Sequence, residues 1–133
     1  MTIFIDTSAL YAVLCQNDPN HTAAAQCWEQ TLLSDESLVC TNYILVETFA
    51  LIQHRLGIEA IKVFQDSILP VLFVEWIDAD QHNSAIESLL TANRRNLSLV
   101  DCTSFAAMRR LGIQNVFAFD EHFAEQGFTC LPT

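Results

Sequence analysis

A chain of 133 residues, 51% of them hydrophobic and only six of them Gly or Pro, has room for one packed domain and is the wrong composition for a disordered or collagen-like segment. Sixteen acidic residues against five Arg and one Lys give a net charge of −10, a field that repels polyanions overall. That balance excludes a nucleic-acid binder that relies on a broad basic surface, while four of the arginines, in the doublets Arg94-Arg95 and Arg109-Arg110, leave room for local clamping of a phosphate.

The elements alternate in chain order with no internal repeat. Thr2 to Ile5 is an apolar run that predicts a first strand, and Thr7 to Cys15 reads as a short helix. An Ala-rich helix follows from His21 to Leu33 and carries Trp28. Leu38 to Cys40 is a short buried strand, and Thr41-Asn42 supplies capping chemistry for a helix from about Tyr43 to Arg55 that Gly57 ends. A helix from Ile58 to Ile68 stops before Pro70, Val71 to Ile77 is a strand, and Asp78 to Asn93 is another helix. Ser98-Leu99-Val100-Asp101 fits a capping box that opens a helix from Cys102 to Leu111, with Gly112 as its stop. Val116 to Phe119 and Phe128 to Leu131 close the series as strands. Apolar strands that do not alternate, separated by helices, predict a parallel sheet covered on both faces, with function at the carboxyl ends of the strands.

Four acids fall where such a sheet would gather them: Asp6 and Asp120 just past strands, Asp101 at a helix start, and Glu47 in the second turn of the helix after Cys40. Each also has a plainer role. Asp6 and Asp120 are placed to cap helices, and Asp101 is the acidic partner of Ser98 in the capping box. Glu47 shares a helical face with Tyr43, Ala50, Leu51 and His54, an inward face on which a carboxylate is costly unless paired or metal-bound. Four carboxylates in one pocket raise one another's pKa values, and a divalent cation reverses that effect. The set therefore reads as a metal-dependent hydrolase.

The five cysteines form no CxxC pair and lie beside apolar segments, as buried small hydrophobes do. No basic segment with an apolar stretch opens the chain, and no apolar run approaches the roughly 18 residues of a membrane span. A cytoplasmic protein without a membrane segment is expected.

The whole pattern resembles one family. Ile5-Asp6-Thr7-Ser8-Ala9-Leu10, Leu45-Val46-Glu47-Thr48, Leu97 through Ser104, and Phe119-Asp120-Glu121-His122-Phe123 before Gly127-Phe128 look like a PIN domain, closest to the VapC-like toxins of toxin-antitoxin pairs. The resemblance implies a single PIN domain over residues 1–133, an α/β/α sandwich with a central parallel sheet. It implies an endoribonuclease that uses Mg²⁺ or Mn²⁺, with Asp6 and Asp101 as the direct ligands, Glu47 completing the acidic set, Asp120 as the fourth acid and the hydroxyls of Ser8 and Thr103 in support. The expected reaction is hydrolysis of an RNA phosphodiester. Arg94, Arg95, Arg109 and Arg110 are RNA-contact candidates, with a solvated face or a protein contact as the alternative. His122 is expected to be structural, near the fourth acid. The implied partners are an RNA substrate, a cognate antitoxin and a second copy of the chain.

Two other classes compete. A haloacid-dehalogenase-type phosphatase needs a second Asp where Ser8 stands and a later Lys, whereas the one lysine is Lys62 in a helix away from the pocket. A catalytically silent PIN-like interaction module fits the acidic, apolar composition but not the presence of all four acids.

Overall fold

The computed structural model describes residues 1–133. The elements run β1 (Thr2–Ile5), α1 (Thr7–Leu14), α2 (His21–Leu33), β2 (Ser37–Thr41), α3 (Asn42–Arg55), α4 (Ile58–Val63), β3 (Leu72–Glu75), α5 (Ala79–Ala92), α6 (Leu99–Leu111), β4 (Asn115–Phe117), α7 (His122–Glu125) and β5 (Thr129–Leu131). All five strands pair in parallel in the order β3-β2-β1-β4-β5. The expected α/β/α architecture with a central parallel sheet is what the chain forms.

β1 is the middle strand, and its residues Ile3, Phe4 and Ile5 are wholly buried. The chain winds outward from it through β2 to β3, then crosses to the other side of β1 for β4 and β5. The winding thus reverses between β1 and β4, where the loops beyond the strands part and leave a crevice. The core is continuous and rich in aromatic rings: Phe4, Phe64, Phe117 and Phe123 are fully buried, and Phe105 meets Phe123 edge to face at 5.1 Å. An edge-on ring pair adds about 0.5–1.5 kcal/mol beyond the area it buries.

Several boundaries differ from the expectation for local reasons. The helix expected from Ile58 to Ile68 is regular only to Val63. It then widens over Phe64–Ile68, where the Leu69 N–H reaches back to the Phe64 carbonyl, and tightens over Leu69–Val71. Pro70 has no N–H to continue a regular ladder, and the wide turn keeps both Phe64 and Ile68 in the core. β3 ends at Glu75 rather than Ile77, because the Ile77 N–H donates to Asn42 Oδ1 at 2.7 Å. β4 ends at Phe117 rather than Phe119, because the Phe119 N–H donates to Ser8 Oγ at 3.0 Å. The short helix α7 follows Asp120, where the sequence offers a helix cap, and its His122 and Phe123 are buried.

Candidate active site

Asp6 follows the last residue of β1 and caps α1. Its Oδ2 accepts from the Ser8 backbone N–H at 3.1 Å and from Ser8 Oγ at 2.6 Å. Its own N–H donates to the Phe117 carbonyl of β4, so the turn after β1 is tied to the neighbouring strand across the reversal point. Ser8 Oγ in turn accepts from the Phe119 N–H, which fixes the segment leading to Asp120. Capping and site-building are one arrangement here, since the same short polar side chains do both.

Asp101 sits inside the first turn of α6, which opens at Leu99 rather than Cys102 with Ser98 as its cap. The Asp101 N–H donates to Ser98 Oγ at 3.0 Å, and the Ser98 N–H donates to Asp101 Oδ2 at 3.1 Å, the reciprocal bonds of a capping box. Asp120 lies in the loop beyond β4, where its Oδ1 accepts from the His122 N–H at 2.9 Å. Glu47 is half-buried on α3. Its expected inward face is not the core face: Ile44, Thr48 and Ile52 are fully buried, while Ala50 and His54 are exposed. Glu47 stands at the edge of the buried row, which turns its carboxylate toward the crevice.

All four acids line one cleft of about 360 Å³, together with Thr7, Ser8, Leu51 and Ser98. A larger cleft of about 500 Å³ between α5 and α6 contains none of them, so size does not mark the chemistry here. Burial, reinforced by the charges of Asp101 and Asp120, pushes the Asp6 carboxyl up to about 7 against the pull of its two Ser8 hydrogen bonds. Glu47 is raised by burial, opposed by the Thr7 hydroxyl and reinforced by Asp101 and Asp120. Asp101 is also raised, by burial first, with Ser98 opposing and Asp120 adding to it. A pocket in which three carboxyls resist ionisation is one in which a cation is electrostatically favoured. The donor set is all oxygen, as Mg²⁺ and Mn²⁺ prefer.

Of the expected supporting residues, Ser8 is in place and Thr103 is not. The Thr103 hydroxyl donates to the Val100 carbonyl within α6 at 2.8 Å and faces the side of α6 lined by Ile77, Gln81 and Arg110. Thr7 occupies the position missed: it lines the acid cleft, opposes Glu47 and accepts from Thr48 Oγ1 at 3.1 Å. The signal was a third hydroxyl or carboxylate in the run Asp6-Thr7-Ser8, directly after a strand.

None of the four candidate arginines lines the acid cleft. Arg94 pairs with Glu125 at 2.9 Å, Arg109 donates to Gln126 at 2.7 Å and lies over the Phe128 ring, and Arg110 lies 3.8 Å from Glu75. Arg109 is eight residues beyond Asp101 on one helix, hence about 12 Å along its axis.

The PIN domain family model matches residues 3–128. The 23S rRNA-specific endonuclease VapC20 of Mycobacterium tuberculosis, from strains CDC 1551 / Oshkosh and ATCC 25618 / H37Rv, is 36% identical over 127 residues, which cover 95% of each chain. The crystal structure of M. tuberculosis VapC20, described as a Sarcin-Ricin loop cleaving toxin, superposes with a TM-score of 0.84 over 96% of both chains. FitAcB from Neisseria gonorrhoeae shares the fold alone, at a TM-score of 0.68 and 16% identity over 98% of this chain and 96% of that one. With a family model spanning nearly its full length and a relative this similar over 95% of both sequences, the chain belongs to the PIN domain family.

Proposed function

We propose that this protein is a metal-dependent endoribonuclease, the toxin of a toxin-antitoxin pair, whose 133 residues form a single PIN domain. The observation that carries the reading is the convergence of Asp6, Glu47, Asp101 and Asp120 on one cleft at the carboxyl end of a parallel sheet. Asp6 and Asp101 would hold Mg²⁺ or Mn²⁺, with Glu47 and Asp120 completing the acidic rim. When bound, the cation would lower the pKa of the attacking water and neutralise charge on the scissile phosphate. Two hydrogen bonds from Ser8 hold the Asp6 carboxylate and the Ser98 N–H holds that of Asp101, so little reorganisation is needed as the phosphate arrives.

The chain carries a net charge of −10, so RNA approaches against the general field and the cation is its principal anchor in the cleft. Among the four arginines Arg95 alone has no hydrogen-bond or ion-pair partner, and it is the RNA contact this reading favours. The relative that cleaves 23S rRNA makes ribosomal RNA the first substrate to try. A protein antitoxin would restrain the enzyme by placing an Arg among the carboxylates in place of the metal, so adding it should lower metal affinity. A homodimer is supported by apolar side chains left exposed on α4 and along β3, the edge of the sheet. No helix is long and apolar enough to cross a membrane, which accords with action in the cytoplasm.

The test is cleavage of total cellular RNA by the purified protein with Mg²⁺ or Mn²⁺, beside a chelator control and the Asp6→Asn and Asp101→Asn variants. Discrete fragments that vanish with chelator and with either variant are expected. Intact RNA in every lane, with metal binding shown separately, would move the protein to the class of silent PIN-like interaction modules.

A further inference from the structure

His122 was expected to be structural, yet its surroundings are those of a metal ligand. The ring is 8% exposed. Its Nδ1 lies 3.2 Å from Glu125 Oε1, and Glu125 is itself held by Arg94 at 2.9 Å. Its Nε2 has no hydrogen bond, and the nearest acid oxygen, Asp120 Oδ1, is 3.8 Å away. A ring nitrogen of His122 and one carboxylate oxygen from each of Asp101 and Asp120 lie within 4.8 Å of one another. Ligands about 2 Å from a common ion stand roughly 3–4 Å apart, so small side-chain shifts close this triangle on a cation. An imidazole that gives Nδ1–H to a carboxylate and keeps Nε2 free toward acidic oxygens is the usual arrangement of a ligating histidine, whose tautomer and ring angle the carboxylate sets.

We propose that His122, through Nε2, joins Asp101 and Asp120 as a ligand of a divalent cation and gives the site a preference for Mn²⁺ over Mg²⁺, with Glu125 and Arg94 as its orienting pair. This rests on the metal-dependent reading and adds to the all-oxygen set one nitrogen ligand. Imidazole suits transition ions, whereas Mg²⁺ keeps to oxygen and to its waters. Without a cation, a protonated ring pairs with Asp120 at 3.8 Å and Glu125 at 3.2 Å; a cation bound at Nε2 would take the place of that proton between the same acids.

The test is pulsed electron paramagnetic resonance of Mn²⁺ added to the purified chain, read for nitrogen coupling, with Mn²⁺ and Mg²⁺ affinities measured alongside by calorimetry. Expected are a ¹⁴N coupling in the native protein, its loss in His122→Asn with Mn²⁺ still bound, and a drop in Mn²⁺ affinity of about 10- to 100-fold in Glu125→Gln. Mg²⁺ affinity should fall less in both variants. If His122→Asn does not fold, the triple variant His21→Gln, His54→Gln, His82→Gln leaves His122 as the single histidine, and retained ¹⁴N coupling carries the same conclusion. Mn²⁺ bound without ¹⁴N coupling in the native protein overturns the role of His122 and leaves the metal-dependent reading standing. Absence of any bound Mn²⁺ or Mg²⁺ overturns both.

Discussion

Ser8 Oγ donates to Asp6 Oδ2 at 2.6 Å while accepting from the Phe119 N–H at 3.0 Å, so a single hydroxyl joins the carboxylate after β1 to the segment that carries Asp120 after β4. Two acids on neighbouring strands are thereby held in register without a cation between them. Ser8→Ala leaves the Phe119 N–H without its partner and strips one hydrogen bond from the Asp6 carboxylate. The expected cost is about 1–3 kcal/mol of stability, together with weaker metal binding at neutral pH. Urea unfolding and a Mg²⁺ titration of the variant measure the two effects. A stability equal to the native protein would show that the bridge carries no energy.

The Asp6 carboxyl gives the metal-free protein an unusual pH dependence. Its folded pKa is raised from 3.8 to about 7, chiefly by burial. Between those values the folded state holds a proton that the unfolded state has released, so stability falls as pH rises through the window. The contribution is full below about pH 4 and lost above about pH 7, and its upper size is about 4 kcal/mol. In chelator, Tm should decline from pH 5 to pH 8, and saturating Mg²⁺ should restore it at the upper end. Asp6→Asn keeps the cap on α1, since Asn accepts the Ser8 N–H equally well, but carries no charge. It should flatten the metal-free profile and raise Tm at pH 8 while abolishing the Mg²⁺ response.

What was legible in the sequence follows from how local each cause is. Asp6, Asp101 and Asp120 were readable because strand ends and helix starts leave short-range signals: an apolar run, a capping box, a turn. Glu47 was readable as an acid on a helix, but the face it shares was misjudged, because which row of α3 is buried depends on α1 packing through Thr7 and Thr48. Thr103 rests on the resemblance alone, and two residues along a helix from Asp101 it points about 200° away around the axis. The early ends of β3 and β4 rest on hydrogen bonds from Ile77 to Asn42 and from Phe119 to Ser8, 35 and 111 residues apart in sequence. No local pattern encodes those partners.

The two threonines separate geometry from resemblance. Thr103→Val replaces a hydroxyl bonded within its own helix and should leave metal affinity and RNA cleavage within about twofold of native, with a stability change near 1 kcal/mol. Thr7→Val removes the hydroxyl that opposes Glu47 and accepts from Thr48. It should raise the Glu47 pKa further, shift the alkaline rise of the cleavage rate to higher pH, and cost about 1–3 kcal/mol through the stranded Thr48 hydroxyl. Rate-pH profiles of both variants decide the matter, and an unchanged Thr7→Val profile would remove Thr7 from the site.

The edge of the sheet predicts how copies associate. Phe73 is 66% exposed and Trp76 70% exposed, on and just past β3, the outer strand beside β2. Val63 and Val71 are exposed on the segment leading into it. An open strand flanked by large apolar side chains invites pairing unless something covers it, and a symmetric dimer buries the same patch on both subunits. Sedimentation at micromolar concentration should report a dimer, and the double variant Phe73→Lys, Trp76→Lys should run as a monomer with unchanged far-ultraviolet circular dichroism. The charges stand on exposed positions, so the fold has no reason to fail. A variant that remains dimeric would place the interface elsewhere, and α4 with its exposed Ile58 is the next surface to alter by the same means.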